Sequence, residues 1–390
     1  MKYPLRLKNL SRQIIILGFI SLFTDIASEM LYPVTPIFLT SALGASMAAI
    51  GLIEGMAEVT AGLLKGYFGS LSDKIGRRSV FVVIGYSLSA IVKPLPGIFP
   101  FFSTVLISRI TDRIGKGIRT APRDALLAGY SEGNTGAVFG FHRGMDTLGA
   151  AIGPILALIL LAVFPGNFTL IFLLAFFPSA IAVMFTLFIK DKPVLTKSKT
   201  SYHYLNFLKT APKQYKTLVI LLTLFSLVNS SDVFLILKSG KISHSDTLAI
   251  TGYIFYNFIY AGASYPAGIA ADKFGKRNIF VTGLIIFSLV YFGFGISQNF
   301  ILTWFLFAFY GIYAASTEGI AKAWVSDLIP DEMRGTAIGL LTMLSGLGIM
   351  IGSIITGILW DNFGSSVPFY ISSIGSFLVA VILFFVRKRK

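Results

Sequence analysis

At 390 residues, with 55% hydrophobic and only 13% charged side chains and a mean hydropathy of +0.77, the chain lies far from soluble-protein usage, where about a quarter of residues are charged. This composition excludes a soluble enzyme, a disordered chain and a secreted disulfide scaffold, and the absence of cysteine excludes disulfides, thiolate metal sites and cysteine nucleophiles. A formal charge of +15 would suggest nucleic acid in a soluble protein, so the placement of that charge decides its meaning.

A spanning helix needs about 20 apolar residues, and blocks of that length recur twelve times. The first, about 13–39, follows Lys2, Arg6, Lys8 and Arg12; it is too long for a signal h-region and no small-residue cleavage site follows, so it reads as an uncleaved span. It carries Asp25 and Glu29, four residues apart and on one face. A carboxylate at membrane depth costs about 2.5–3.5 kcal/mol and must face a partner or a water-filled cavity. Burial penalises the ionised form of a carboxyl group, as proton coupling requires, so Asp25 and Glu29 are the first candidates, with a static ion pair as the alternative. The second block, about 46–69, adds Glu54, Glu58 and Lys65, with Glu58 nearer the middle and the better candidate. A glycine-rich basic turn, Gly69 to Arg78, leads into the third block, about 79–98.

The fourth block, about 102–124, is the most unusual. Arg109, Asp112, Arg113, Lys116, Thr120 and Arg123 step by three or four along one helix face, and Gly115 and Gly117 permit close packing. Arg109, Asp112 and Arg113 are candidates for binding an anionic or zwitterionic substrate. The alternative is that the stripe pairs with Asp25, Glu29, Glu58 and Asp146, while Arg113 to Arg123 form a helix end that pairs with Asp124 and snorkels to headgroups. The fifth block, about 135–163, brings His142, Arg143 and Asp146; Arg143 and Asp146 suit an intrahelical pair, and His142, whose imidazole titrating near neutrality can relay protons, and Asp146 are further proton-coupling candidates. His142, Asp146, Asp25 and Glu29 carry donors for a divalent cation, but no metal-ligand spacing supports one, so no metal and no cofactor are expected.

After the sixth block, about 167–189, residues 190–215 form a lysine-rich linker with Pro193 and Pro212, dividing an N-terminal half (1–189) from a C-terminal half (216–390). The remaining blocks fall at about 216–238, 247–270, 277–296, 300–325, 333–360 and 366–386. This half is poorer in charge: Asp232, then Glu318 with Lys322 at i and i+4, are its main intramembrane charges, while Glu318, Tyr256, Asn257 and Tyr260, the last three on a polar aromatic face, are further binding candidates. Basic residues cluster in alternate connections, including Lys74, Arg77 and Arg78, then Lys273, Lys276 and Arg277, then the tail, which predicts both termini and the linker on the cytoplasmic side. Much of the +15 therefore reports topology, and nucleic acid is not an expected partner.

The segment from Gly69 through Asp73 and Gly76 to Arg77 and Arg78 returns as Gly268 through Asp272 to Arg277, shifted by 199, and the same shift maps Gly136, Gly140, Gly149 and Gly153 onto Gly335, Gly339, Gly348 and Gly352. Duplication into two six-helix halves follows. These motifs resemble those of the major facilitator superfamily. The glycine-rich turn is similar to its motif A, with a degenerate copy in the second half, and Gly149 to Gly153 with Pro154 resembles its antiporter-associated motif C. Arg109 stands at the motif B position, but Asp112 and Arg113 replace the usual residues there. The resemblance implies an all-helical membrane protein with twelve spans in two pseudo-symmetric halves, and a gate held shut on the cytoplasmic side by Asp73. It also implies secondary transport of a small solute by alternating access rather than catalysis. Proton-coupled export from the inner membrane by a monomer is the expectation; proton-coupled uptake of an organic anion, or lipid flipping, is the alternative.

Overall fold

The computed structural model describes residues 10–39, 43–44, 47–191, 204–244 and 246–385, and among these every regular element is helical. The elements are α1 (Arg12–Ile37), α2 (Met47–Ile75), α3 (Arg78–Val92), α4 (Leu95–Ile98), α5 (Phe102–Tyr130), α6 (Thr135–Val163), α7 (Phe168–Leu174) and α8 (Phe176–Thr186). They are followed by α9 (Tyr204–Thr210), α10 (Lys213–Val228), α11 (Val233–Ser243), α12 (Asp246–Phe274), α13 (Lys276–Ile296), α14 (Phe300–Leu328), α15 (Arg334–Phe363) and α16 (Val367–Phe385).

Helical segments fall on all twelve apolar blocks, three of them interrupted. Residues 93–94 separate α3 from α4, where Pro94 lacks the amide that would continue the ladder. Ala175 divides α7 from α8, and residues 229–232 divide α10 from α11, the most open of the three breaks. Polar side chains start several helices: Ser11 accepts from the Ile14 amide, Asn167 from Leu170 and Asn299 from Ile301. Gly76 (φ +70°) and Gly275 (φ +94°) make the tight turns that follow α2 and α12, a conformation an L side chain adopts only with strain. Helix α10 begins at Lys213, three residues before the expected 216, and short α9 lies in the linker region, with Phe207 seated against Tyr215.

The repeat is visible in three dimensions. Met47–Ile75 and Asp246–Phe274 have the same length and begin 199 residues apart, as do Thr135 and Arg334 at the starts of α6 and α15. Helices α1, α2, α3, α5, α6 and α8 pack as one bundle, and α10, α12, α13, α14, α15 and α16 as a second. The halves meet crosswise, α2 on α15 and α6 on α12, with α5 and α6 also touching α14. Among the described residues, eight segments are long and apolar enough to span a membrane by themselves. Exposed apolar side chains such as Ile91, Phe177, Met184, Leu289 and Phe305 face outward, as lipid-facing positions require.

Candidate functional site

The tightest joint between the halves lies at the basic end of the bundle. A β-carbon added to Gly136 would lie 2.5 Å from the Gly268 carbonyl oxygen, and one at Gly69 would lie 2.4 Å from that of Gly335. The backbones approach this closely because neither side carries a side chain. Asp73 uses this approach to cap the first turn of α15. Its carboxylate accepts from the amides of Gly335 (3.2 Å) and Thr336 (2.7 Å) and from the Thr336 hydroxyl (2.9 Å). Asp272 does the same for α6, accepting from Gly136 (2.9 Å) and Ala137 (2.8 Å). Each carboxylate meets the positive end of a helix dipole across the interface. The basic residues beside them are used differently. Arg78 is buried and joins Asp73 (3.1 Å) to Asp331 of the other half (3.1 Å), whereas Arg77 is exposed. In the second copy Lys276, equivalent to Arg77, joins Asp272 (3.0 Å) to Asp327 (2.7 Å).

Away from this end the halves part. The close approaches of α6 to α12 run from Gly136 through Gly140 over Ser264 to Gly144 over Ala261, while among the described residues a β-carbon at Gly62 on α2 or Gly346 on α15 would meet nothing within 4 Å. Lys116 and Glu318 are exposed near the middles of α5 and α14, and Tyr32 of α1 is 51% exposed. Charged groups exposed at mid-helix depth belong to a water-accessible space rather than to lipid.

That space gathers several of the sequence candidates. Arg143 joins Asp146 of its own helix (2.5 Å), as expected, and reaches across to the hydroxyl of Tyr260 (2.5 Å) and the carboxylate of Glu318. Asp146 also accepts from Ser21 of α1 (2.6 Å), and its carboxyl group meets that of Asp25. Glu29, one turn further along α1, faces Lys116, Arg113 and Arg109. The glycines of α6 seat this face of α1. A β-carbon at Gly149 would come 2.5 Å from the Leu22 carbonyl oxygen and 3.0 Å from the Asp25 β-carbon; one at Gly153 would come 2.7 Å from the Ile26 oxygen and 2.9 Å from the Glu29 β-carbon. Pro154 sits inside α6 without breaking it.

The polar stripe of the fourth block, which lies on α5, does not act as one surface. Asp112 pairs with Lys93, in the break between α3 and α4 (3.2 Å), both buried, and Arg109 lies with them beside a narrow cavity lined also by Ser28, Thr35 and Ser108. Arg119 and Arg123, in the stretch read alternatively as a helix end snorkelling to headgroups, are buried instead. Arg119 donates to Ser89 (2.6 Å) and stacks over the Tyr86 ring, while Arg123 donates through two nitrogens to Asp124 (3.0 and 2.9 Å). Asp124 is fully buried and also takes Lys322 from the other half (2.7 Å), so Lys322 is not the i, i+4 partner of Glu318. His142 is buried, and its Nε2 finds no hydrogen-bond partner among the described residues.

In the C-terminal half Tyr256 and Tyr260 are almost fully buried in a stack of rings, and Asn257 donates to the Tyr253 carbonyl of its own helix (3.0 Å). The side chains of Glu54 and Glu58 lie outside the described residues. Sequence reasoning missed Lys93, although a lysine before Pro94 inside an apolar block was a signal. It also missed the Asp331 and Asp327 ends of the latch, which nothing local marks.

The Major Facilitator Superfamily profile matches residues 17–254 and 240–390. An MFS-type transporter of Methanocaldococcus jannaschii is 34% identical over 387 residues, covering 97% of this chain and 96% of the relative. Among solved structures, the human organic anion transporter MFSD10 superposes with a TM-score of 0.80 at 17% identity, covering 95% of this chain and 99% of that one. The proton:xylose symporter XylE superposes with a TM-score of 0.79 at 15% identity, covering 96% and 95%. Two repeated six-helix bundles, crossed glycine-lined contacts and a match along nearly the whole length lead to one conclusion: the chain is a multi-pass membrane protein belonging to the major facilitator superfamily of transporters.

Proposed function

We propose that the protein is a secondary active transporter that exports a small solute in exchange for protons, with its basic end in the cytoplasm. In this proposal the conformation described above is the outward-facing one. The observation that carries the proposal is the α1–α6 seam, where Asp146 accepts from Ser21 of α1 (2.6 Å) and Asp25, one turn on from Ser21, is seated against Gly149 of α6 with its carboxyl group beside that of Asp146. Two carboxyl groups in contact repel unless a proton lies between them. This pair sits beside Arg143, which spans the two halves, so loading and unloading one proton alters a charge network whose far partners, Tyr260 and Glu318, move with the other half. Alternating access then follows from exchanging the latch at the basic end for contacts at the opposite end.

Reconstitution tests this. In proteoliposomes with an imposed pH gradient, solute flux through the wild type follows the gradient. Asp25→Asn retains solute exchange but loses gradient-driven accumulation. Accumulation that persists in Asp25→Asn, Asp146→Asn and Glu29→Gln alike removes these carboxyl groups from the coupling.

A further inference from the structure

Of the intramembrane acids, Asp25 lies against Asp146 and Glu29 faces the cations of α5; the others differ in whether they hold a counter-ion. Asp112, Asp124, Asp146 and Glu318 each hold a lysine or arginine in an ion pair. Asp232 does not: among the described residues it forms no ion pair, and its carboxylate accepts from the Tyr310 hydroxyl at 2.7 Å. It is the last residue of the break at 229–232, immediately before α11, yet its side chain caps no amide of that helix. Arg143, the cation that bears on Asp232, is already engaged by Asp146, Glu318 and Tyr260. A membrane-embedded carboxylate with hydroxyl partners alone is costly, and such a group is a site for something it binds in the working cycle.

Its surroundings have a definite chemistry. Tyrosine rings stack behind it: Tyr256 lies 4.9 Å from Tyr310 between ring centroids, Tyr310 lies 5.1 Å from Tyr313, and Tyr253 lies 5.3 Å from Tyr256. Tyr310 and Tyr256 are almost fully buried, whereas Tyr253 and Asp232 are half-buried, and each is acted on by a charge of the other half, Glu29 of α1 on Tyr253 and Arg143 of α6 on Asp232. Tyr253 also faces Tyr32 of α1. A carboxylate without a counter-ion, set among electron-rich ring faces, attracts a cation and offers nothing to an anion.

We propose that the space between α1 and the broken α10–α11 segment binds an organic cation. The cargo is a protonated or quaternary amine, or a similar onium group, on an apolar body. Asp232 is the counter-ion and Tyr253 presents the ring face. The proposal rests on the transporter function above and names its substrate class; the arginines of α5 are then internal partners of buried acids rather than an anion receptor.

The test is equilibrium binding of radiolabelled tetraphenylphosphonium, a permanent aromatic cation, to the purified full chain in lipid nanodiscs, measured against empty nanodiscs. Saturable binding is expected, with benzoate failing to compete. Asp232→Asn should weaken it about tenfold or more, the scale of losing a charged partner. Tyr253→Leu should weaken it several-fold while Tyr253→Phe, which keeps the ring, stays near wild type; this pair decides the question should Asp232→Asn fail to fold. Absence of saturable binding, displacement by benzoate, or wild-type affinity in both Asp232→Asn and Tyr253→Leu overturns the proposal. Binding needs no proton gradient, so this outcome is separate from that of the flux assay for proton coupling.

Discussion

Replacing Asp73 with asparagine should release the basic end of the molecule. In the conformation described here Asp73 is almost wholly buried and accepts three hydrogen bonds from the opposite half, two from the first amides of α15 and one from the Thr336 hydroxyl. Its pair with Arg78 lies within one half and survives opening, so only the cross-half contacts count. Asparagine is nearly isosteric but keeps a single acceptor oxygen and no charge. Losing a helix cap costs about 0.5–2 kcal/mol and losing the anion at a helix N-terminus up to about 2 kcal/mol in a partly buried setting. Water that enters on opening solvates the freed groups, so a net shift of about 1–2 kcal/mol is expected, roughly a 5- to 30-fold change in the closed-to-open ratio. The chain has no cysteine, so a single reporter reads cleanly. Ser264, 1% exposed beneath Gly140 on the α6–α12 joint, is a suitable position for a Ser264→Cys reporter. Membrane-impermeant maleimide applied from the basic side should label this cysteine faster by that factor in Asp73→Asn, by a similar factor in Asp272→Asn, and by more in the double variant. Labelling within twofold of the parent in all three would refute the latch.

Asp112→Asn should strand the buried Lys93 ammonium and cost about 3–5 kcal/mol of stability, while adding Lys93→Met recovers most of it; thermal unfolding in detergent, followed by size-exclusion chromatography, measures both. Gly153→Val should sharply reduce the yield of folded protein, because even its β-carbon would come 2.7 Å from the Ile26 carbonyl oxygen, and overpacking of this kind costs about 1–3 kcal/mol or more. Gly62→Ala, facing open space, is the matched control and should express normally. Lys322→Met should loosen the halves less than Asp73→Asn does, by about 1 kcal/mol or less, since Asp124 keeps both bonds from Arg123; the same cysteine reporter measures it.

Much of the architecture was legible in the chain because the forces behind it are local or periodic. Apolar blocks of spanning length follow from the absence of water in a bilayer. The repeat declared itself through glycines such as Gly69, Gly136, Gly268 and Gly335, which sit where two backbones touch and no other residue fits. Spacing alone placed Asp25 with Glu29, and Arg143 with Asp146, on shared helix faces. Tertiary structure decided which charges meet. Arg77 and Arg78 are neighbours in sequence, yet only Arg78 is buried against Asp73, while in the second copy Lys276 takes that part. Lys322 passes over Glu318, four residues away, for Asp124 in the other half. Lys93 neutralises the acid in a stripe that looked electropositive, and Asp232 is left to tyrosines. An ion pair is set by a few ångströms of separation between side chains on different helices. That separation depends on how the helices cross, which helix periodicity does not encode and only the packed bundle decides.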